Sequence, residues 1–192
     1  AKMKPKSAYI LYGEEKWLMA EKIKQIKTRV FAGNEWAEEY NYIPLEAKSI
    51  TVRSFLDILN QMPFMAEYKM VQLNGAELFS FGPKSGEEQK KADKLLLEYL
   101  ANPNPACVLV IVNDYLPEKK NKDPYAKFKA LADVEVIDCK SLNAKEVKIW
   151  VKDYLAAYNV TIERDALDYL TAESSRSLGV LANELEKALT YT

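Results

Sequence analysis

Short apolar runs alternate with segments of helical period along residues 1–140, a pattern typical of a parallel sheet flanked by helices. The run from Cys107 to Val112 is the most apolar, so we expect it at the centre of the sheet, where a strand is covered on both faces. The pattern therefore predicts an α/β domain with five parallel strands. The predicted strands are Ala8 to Tyr12, Tyr40 to Leu45, Lys69 to Leu73, Cys107 to Val112 and Val134 to Ile137.

The segments between these strands have the apolar spacing of amphipathic helices. In the first, from about Glu14 to Phe31, apolar residues recur every three to four positions and so share one face. Thr51 can cap a short helix ending at Asn60, because its hydroxyl can accept a hydrogen bond from a first-turn amide. Another helix is predicted around Tyr125 to Leu131. A further predicted helix ends before the breaker at 102–105, and its apolar face consists of Ala92, Leu95, Leu96, Tyr99 and Leu100. The lysine-rich stretch at 118–122 is interpreted as a solvated turn.

The pattern changes at Ser141, after which three amphipathic stripes follow one another without a predicted strand between them. Consecutive amphipathic helices bury their apolar faces against one another. We therefore predict a second domain, a small three-helix lid, over residues 141–192. The stripes are Val147, Trp150, Val151, Tyr154, Leu155 and Tyr158; Ala166, Tyr169 and Leu170; and Leu178, Leu181, Ala182, Leu185 and Leu189.

Charge and composition narrow the possible functions. Lys and Arg total 27 against 28 Asp and Glu, so no global positive field is available to hold a phosphate backbone, and strong binding of DNA by this chain alone is not expected. The chain has no histidine, which excludes histidine-based acid–base catalysis and most transition-metal sites. Cys107 and Cys139 lie in or beside apolar runs and are expected to be buried, inert thiols of a cytoplasmic protein. No stretch is long and apolar enough to predict a membrane span.

Five strands followed by a three-helix lid is the element order of the AAA+ module, whose phosphate-binding loop needs G-x-x-x-x-G-K-[ST]. The turn after the first strand instead has one glycine, Gly13, followed by the carboxylates of Glu14 and Glu15, which repel phosphate. After the third strand, Asn74 and Gly75 stand where such a module has an Asp-Glu pair for metal and water. We predict a degenerate nucleotide site with no catalytic residues, cofactor or metal.

A polar residue also ends the fourth strand, where AAA+ modules keep a sensor. Asn113 occupies this position. Because asparagine often follows a strand as a turn residue, we favour a turn over a sensor.

Four segments of the chain resemble the DNA polymerase III delta subunit family, the bacterial clamp-loader subunits. They are YILYGEEKWLMAEKIKQIK, ILNQMPFMAEYKMVQLNGAELF, LLEYLANPNPACVLVIV and LGVLANELEKALTY, in the family's order and spacing from Tyr9 to Tyr191. The resemblance implies a subunit of a DNA-directed DNA polymerase holoenzyme, a nucleotidyltransferase, that binds and opens the replicative sliding clamp during DNA replication without hydrolysing ATP itself. The implied partners are the beta sliding clamp and the gamma/tau and delta prime clamp-loader subunits, with DNA contacted only within that assembly.

The chain departs from the family pattern in two ways. The family chain continues into a helical collar domain, whereas this sequence ends at Thr192, so the resemblance implies a truncated chain with its collar domain absent. Many relatives have an arginine in the last lid helix where Gly179 stands here. A role of the lid in sensing nucleotide is therefore not expected.

The residues Met62, Pro63, Phe64 and Met65 form an apolar connection between a predicted helix and a predicted strand. Pro63 pushes the preceding residue out of helical geometry. Composition alone favours Phe64 and Met65 folding back into the core. The family resemblance instead implies that these two side chains enter a hydrophobic pocket on the clamp, and we expect them to project from the sheet domain.

Three other functions are kept as alternatives. An active AAA+ hydrolase would need the lysine and the carboxylate pair that this sequence lacks. A scaffold subunit with the same fold would contact other replication proteins but not the clamp. Direct DNA recognition by the lid is disfavoured, because its last helix has Glu184 and Glu186 against Lys187.

Overall fold

A computed structural model describes residues 4–116, 123–172 and 177–191. The chain forms two compact units, which divide between Cys139 and Lys140. The elements of the first unit are β1 (Ala8–Tyr12), α1 (Lys16–Phe31), α2 (Glu35–Asn41), β2 (Tyr42–Glu46), a 3-10 turn (Ala47–Ser49), α3 (Val52–Asn60), β3 (Lys69–Asn74), α4 (Glu87–Ala101), β4 (Cys107–Asn113), α5 (Ala126–Lys129) and β5 (Val134–Asp138). The second unit contains α6 (Ala144–Ala156), α7 (Arg164–Ala172) and α8 (Leu178–Leu189).

The strands form one five-stranded sheet in the order β2-β3-β4-β1-β5, and every neighbouring pair is parallel. The predicted α/β fold with a five-stranded parallel sheet is confirmed. The strand β4 lies at the centre, as its apolar sequence predicts, because both of its faces are covered.

Helices cover both faces of this sheet, and alternate residues of each strand serve the two faces. In β1, Ile10 packs into a core with Phe55, Phe79 and Leu96, while Leu11 packs into a second core on the side of α1. Full burial of one such side chain contributes about 1.5–3 kcal/mol relative to exposure. The two cores fix the carboxyl ends of the strands, where the connecting segments meet.

The structure corrects three predicted boundaries in the first unit. Tyr40 and Asn41, predicted to start the second strand, instead form the end of helix α2. Asn34 caps the start of this helix by accepting a hydrogen bond from the Ala37 amide at 3.1 Å. The helix α1 starts two residues later than predicted, since Glu15 is its cap. The predicted helix around 125–131 is reduced to the single turn of α5. The lysine-rich turn at 118–122 lies outside the described residues.

The second unit has the three helices that the sequence predicts. Asn143 and Glu146 form a reciprocal capping box at the start of α6, and Ser177 caps α8. The core of this unit joins all three helices through Val151, Leu155, Leu167 and Leu185. Among the described residues, no helix is long and apolar enough to span a membrane.

Candidate partner-binding site

The turn after β1 is closed by hydrogen bonds within the chain. The Gly13 amide donates to the Asn113 carbonyl at 3.1 Å, and the Glu15 amide donates to the Cys139 carbonyl at 2.9 Å. The Glu15 carboxylate accepts from the Trp17 amide at 3.2 Å, which places a negative charge at the amino end of α1. A phosphate would need this position and its amides. Glu14 is exposed to solvent beside the turn.

The end of β3 is also committed to internal contacts. The Asn74 amide donates to Glu46 at 2.9 Å and its Oδ1 accepts from Gln72 at 2.8 Å. Gly75 has a positive φ of 89° and donates its amide to the Val112 carbonyl at 2.9 Å. A side chain at position 75 would be strained and would overlap the Glu77 carboxylate. This position therefore requires glycine for structural reasons.

A cleft of about 400 Å³ lies between α1 and the carboxyl ends of β2, β3 and β4. The structure brings Asn74 and Gly75 together in its wall, whereas Gly13, Glu14 and Glu15 do not line it. Three carboxylates and two lysines surround it, so the cleft has mixed charge, and the Lys48 ammonium lies 3.5 Å from Glu77. The charged lining residues are Lys16, Glu46, Lys48, Glu77 and Asp114. No cluster of three or more acidic or cysteine residues suited to a metal occurs in the parts of the chain that the structure describes.

Asn113 joins the end of β4 to two neighbouring segments. Its side chain is buried and donates to the Phe81 carbonyl at 3.0 Å and to the Tyr125 hydroxyl at 2.8 Å. Its Oδ1 accepts from the Tyr115 amide at 3.1 Å, two residues along the chain. This local bond is the turn geometry favoured for asparagine at a strand end.

The connection between α3 and β3, residues 61–68, presents large apolar side chains to solvent. Met62 is 75% exposed, Phe64 56% and Met65 80%, while Pro63 is half-buried. Phe64 and Met65 therefore lie at the surface and not in the core that composition alone favours. Three large apolar side chains exposed within four consecutive residues form a surface patch of the kind that binds a protein partner.

The centre of this connection is held by the side chain of Asn41. Its Oδ1 accepts from the Phe64 amide at 2.6 Å, and its Nδ2 donates to the Phe64 carbonyl at 3.0 Å and to the Ala37 carbonyl at 3.0 Å. Asn41 is buried. Both backbone groups of Phe64 are thus fixed by one side chain, 23 residues earlier in the sequence.

Two more side chains hold the start of the connection. The Asn104 amide donates to the carbonyls of Leu59 at 3.0 Å and Gln61 at 3.1 Å. The Lys69 ammonium donates to the Ile58 carbonyl, and burial lowers the pKa of this lysine. Together with Asn41, these groups give the connection a defined backbone although its apolar side chains are exposed.

Phe64 also belongs to an aromatic cluster that sequence reasoning missed. Its ring lies 6.0 Å from the ring of Trp36 and 6.1 Å from that of Tyr40, and the two α2 rings lie 5.0 Å apart. The cluster was not predicted because helix α2, which contains Trp36 and Tyr40, was not predicted. The available signals were Asn34 as a cap residue and the four-residue spacing of Trp36 and Tyr40, which places two aromatic rings on one helical face.

Comparison with known proteins identifies the family of this chain. Residues 9–140 match the model of the family described as DNA polymerase III, delta subunit. The chain belongs to the DNA polymerase III delta subunit family. The resemblance drawn from the sequence is therefore confirmed.

Two relatives illustrate the likeness. A DNA polymerase III subunit delta of Bacillus subtilis (strain 168) is 24% identical over 185 residues, which cover 95% of this chain and 51% of that protein. The solved structure of a Bacillus subtilis DNA clamp loader delta protein matches with a TM-score of 0.80 and 22% identity, over 97% of this chain and 54% of that one. The fold is shared, and the chain spans about half the length of these relatives.

Proposed function

We propose that this chain is the clamp-binding part of a clamp-loader delta subunit, and that Met62, Pro63, Phe64 and Met65 bind the beta sliding clamp. The observation that carries the proposal is the exposure of Phe64 and Met65 on a backbone held by Asn41. An anchor already fixed in its bound conformation loses little conformational entropy on binding. Membership of the delta subunit family makes a sliding clamp the partner of choice.

The proposed role needs no chemistry from this chain. A protein opens a ring if it binds the opened form more tightly than the closed form, because the difference in affinity shifts the equilibrium. The carboxylate of Glu15 at the start of α1 supports a subunit that neither binds nor hydrolyses ATP. Within the holoenzyme, the chain would assemble with gamma/tau and delta prime subunits and meet DNA only there.

Titration of purified beta sliding clamp against single and double alanine variants of Phe64 and Met65 tests this proposal. Tyr169→Ala is a matched control, because Tyr169 is an exposed large side chain in the other unit. Buried hydrophobic anchors at protein interfaces each contribute about 2–4 kcal/mol, so the double variant should bind at least about a hundredfold more weakly. Its melting temperature should stay close to that of the parent, since both side chains are exposed.

A double variant that binds the clamp as well as the parent contradicts the proposal and favours a scaffold subunit that does not contact the clamp. Calorimetric titration with ATP should show no heat of binding. Micromolar affinity for ATP would instead favour the hydrolase alternative.

A further inference from the structure

We infer that the partner-binding surface extends onto α2, so that Trp36 and Tyr40 contact the same clamp as Phe64. This inference rests on the proposed function, because it takes the clamp as the partner. It assigns a role to two side chains that lie outside the Met62–Met65 element. Trp36, Tyr40 and Phe64 together form an aromatic triad.

The aromatic triad is continuous in space and open to solvent. Trp36 is 42% exposed and Tyr40 53%, and each ring lies about as far from Phe64 as rings in direct contact do, at 6.0 and 6.1 Å. A standard interface covers about 800 Å² on each partner, a patch of roughly 16 Å radius. A partner whose interface of this size is centred on the Phe64 ring therefore also covers its two neighbours.

The support that α2 gives to the fold comes from other residues. Ala37 packs into the core beneath the sheet face, and Asn41 makes the hydrogen bonds to the connection. Trp36 and Tyr40 lie on the solvent side of α2, where part of their large apolar surface is in contact with water, which is unfavourable. These residue types are enriched among the side chains that dominate interface energies.

The charges around the triad favour one kind of partner surface. Helix α2 and residues 61–68 contain four glutamates and no lysine or arginine. Glu35, Glu39 and Glu67 are exposed, while Glu38 pairs with Lys27 at 3.0 Å. An apolar centre with an acidic rim complements an apolar pocket rimmed by lysine or arginine. The clamp surface that receives Phe64 should have this composition.

The test measures the affinity of the chain for purified beta sliding clamp in four alanine variants: Trp36→Ala, Tyr40→Ala, Phe64→Ala and the control Tyr169→Ala. We expect each α2 variant to bind about tenfold more weakly than the parent, and Tyr169→Ala to bind as the parent does. Thermal melting of each variant identifies any loss of folding.

Fluorescence gives a second readout that does not depend on a truncated side chain. If the clamp covers Trp36, its indole leaves water on binding, so clamp addition should shift the emission to shorter wavelength in the parent. The shift should be absent in Trp36→Phe, which retains an aromatic ring and its packing. Persistence of the full shift in Trp36→Phe would overturn the inference.

The variants separate this inference from the proposed function. Weak binding by Phe64→Ala together with parent-like binding by both α2 variants overturns the extension onto α2 and leaves the proposed function intact. Parent-like binding by Phe64→Ala overturns the proposed function, and the inference with it. Weak binding by Phe64→Ala and by both α2 variants, with unchanged melting, supports both.

Discussion

Replacing Asn41 with alanine removes the side chain that holds Phe64 in place without touching any exposed apolar group. The change deletes one bond from the Phe64 amide at 2.6 Å, one to the Phe64 carbonyl at 3.0 Å and one within α2 to the Ala37 carbonyl. The start of the connection remains held by Asn104 and Lys69. The perturbation is therefore centred on the residue proposed to enter the clamp.

The size of the effect follows from the two bonds to Phe64. Each contributes a net stabilisation of about 0.5–1.5 kcal/mol, so their loss costs about 1–3 kcal/mol. If the connection stays in place, this cost appears as a lower free energy of unfolding. If it detaches, the binding-competent fraction falls and the clamp affinity drops by about 5-fold to 150-fold.

Hydrogen exchange of the peptide covering residues 61–68 distinguishes these outcomes when it is measured with clamp affinity and thermal melting. We expect faster exchange and weaker binding in Asn41→Ala. Asn60→Ala is the matched control, because Asn60 also ends a helix and bonds the carbonyl four residues earlier, at 3.0 Å. Asn41→Asp should lose at least as much as Asn41→Ala, since a buried carboxylate can accept from the Phe64 amide but is repelled by the Phe64 and Ala37 carbonyl oxygens.

Unchanged exchange and full clamp affinity in Asn41→Ala would refute the view that this side chain preorganises the connection. A lower melting temperature with full affinity would assign Asn41 to folding alone. Equal losses in Asn60→Ala would show that the bond within each helix, and not the contact with Phe64, is responsible.

Two further predictions concern the sheet unit. Burial raises the pKa of the Cys107 and Cys139 thiols to about 11, so a thiol reagent at pH 8 should modify the native protein only after unfolding. An unfolded cysteine ionises near pH 8.5, whereas the folded thiols keep their protons to higher pH. The stability that the protonated thiols contribute should therefore be complete below about pH 8.5 and be lost as the pH rises through about 11. Denaturant titrations over this pH range measure the loss. Gly75→Ala should lower the free energy of unfolding by about 1–3 kcal/mol, because alanine is strained at a φ of 89° and must displace Glu77. Gly33→Ala, at a φ of 77° with no atom within 4 Å, measures the backbone cost alone, and an equal loss in both variants would exclude a contribution from Glu77.

The strands could be predicted because the central strands of a parallel sheet are covered on both faces and leave short, largely apolar runs in the sequence, while the edge strand β5 interleaves apolar and charged residues. The starting residues of β1, β3, β4 and β5 all agree with the structure. Local chemistry predicted the start of α3 in the same way, since Thr51 accepts from the Ser54 amide three residues later at 3.2 Å. The mismatch with a phosphate-binding loop could also be predicted from the sequence, because it depends only on which residues follow β1, here Glu14 and Glu15.

The surface around Phe64 depended on tertiary contacts that have no periodic signal. The composition of residues 62–65 favoured burial. Phe64 is exposed instead, because the positions of α3 and β3 in the fold place the connection between them at the surface. The bonds from Asn41 and the ring contacts with Trp36 and Tyr40 join segments more than 20 residues apart. Only the packing of α2 beside the sheet brings these segments together, because side-chain bonds and ring contacts act over a few ångströms, whatever the separation along the chain.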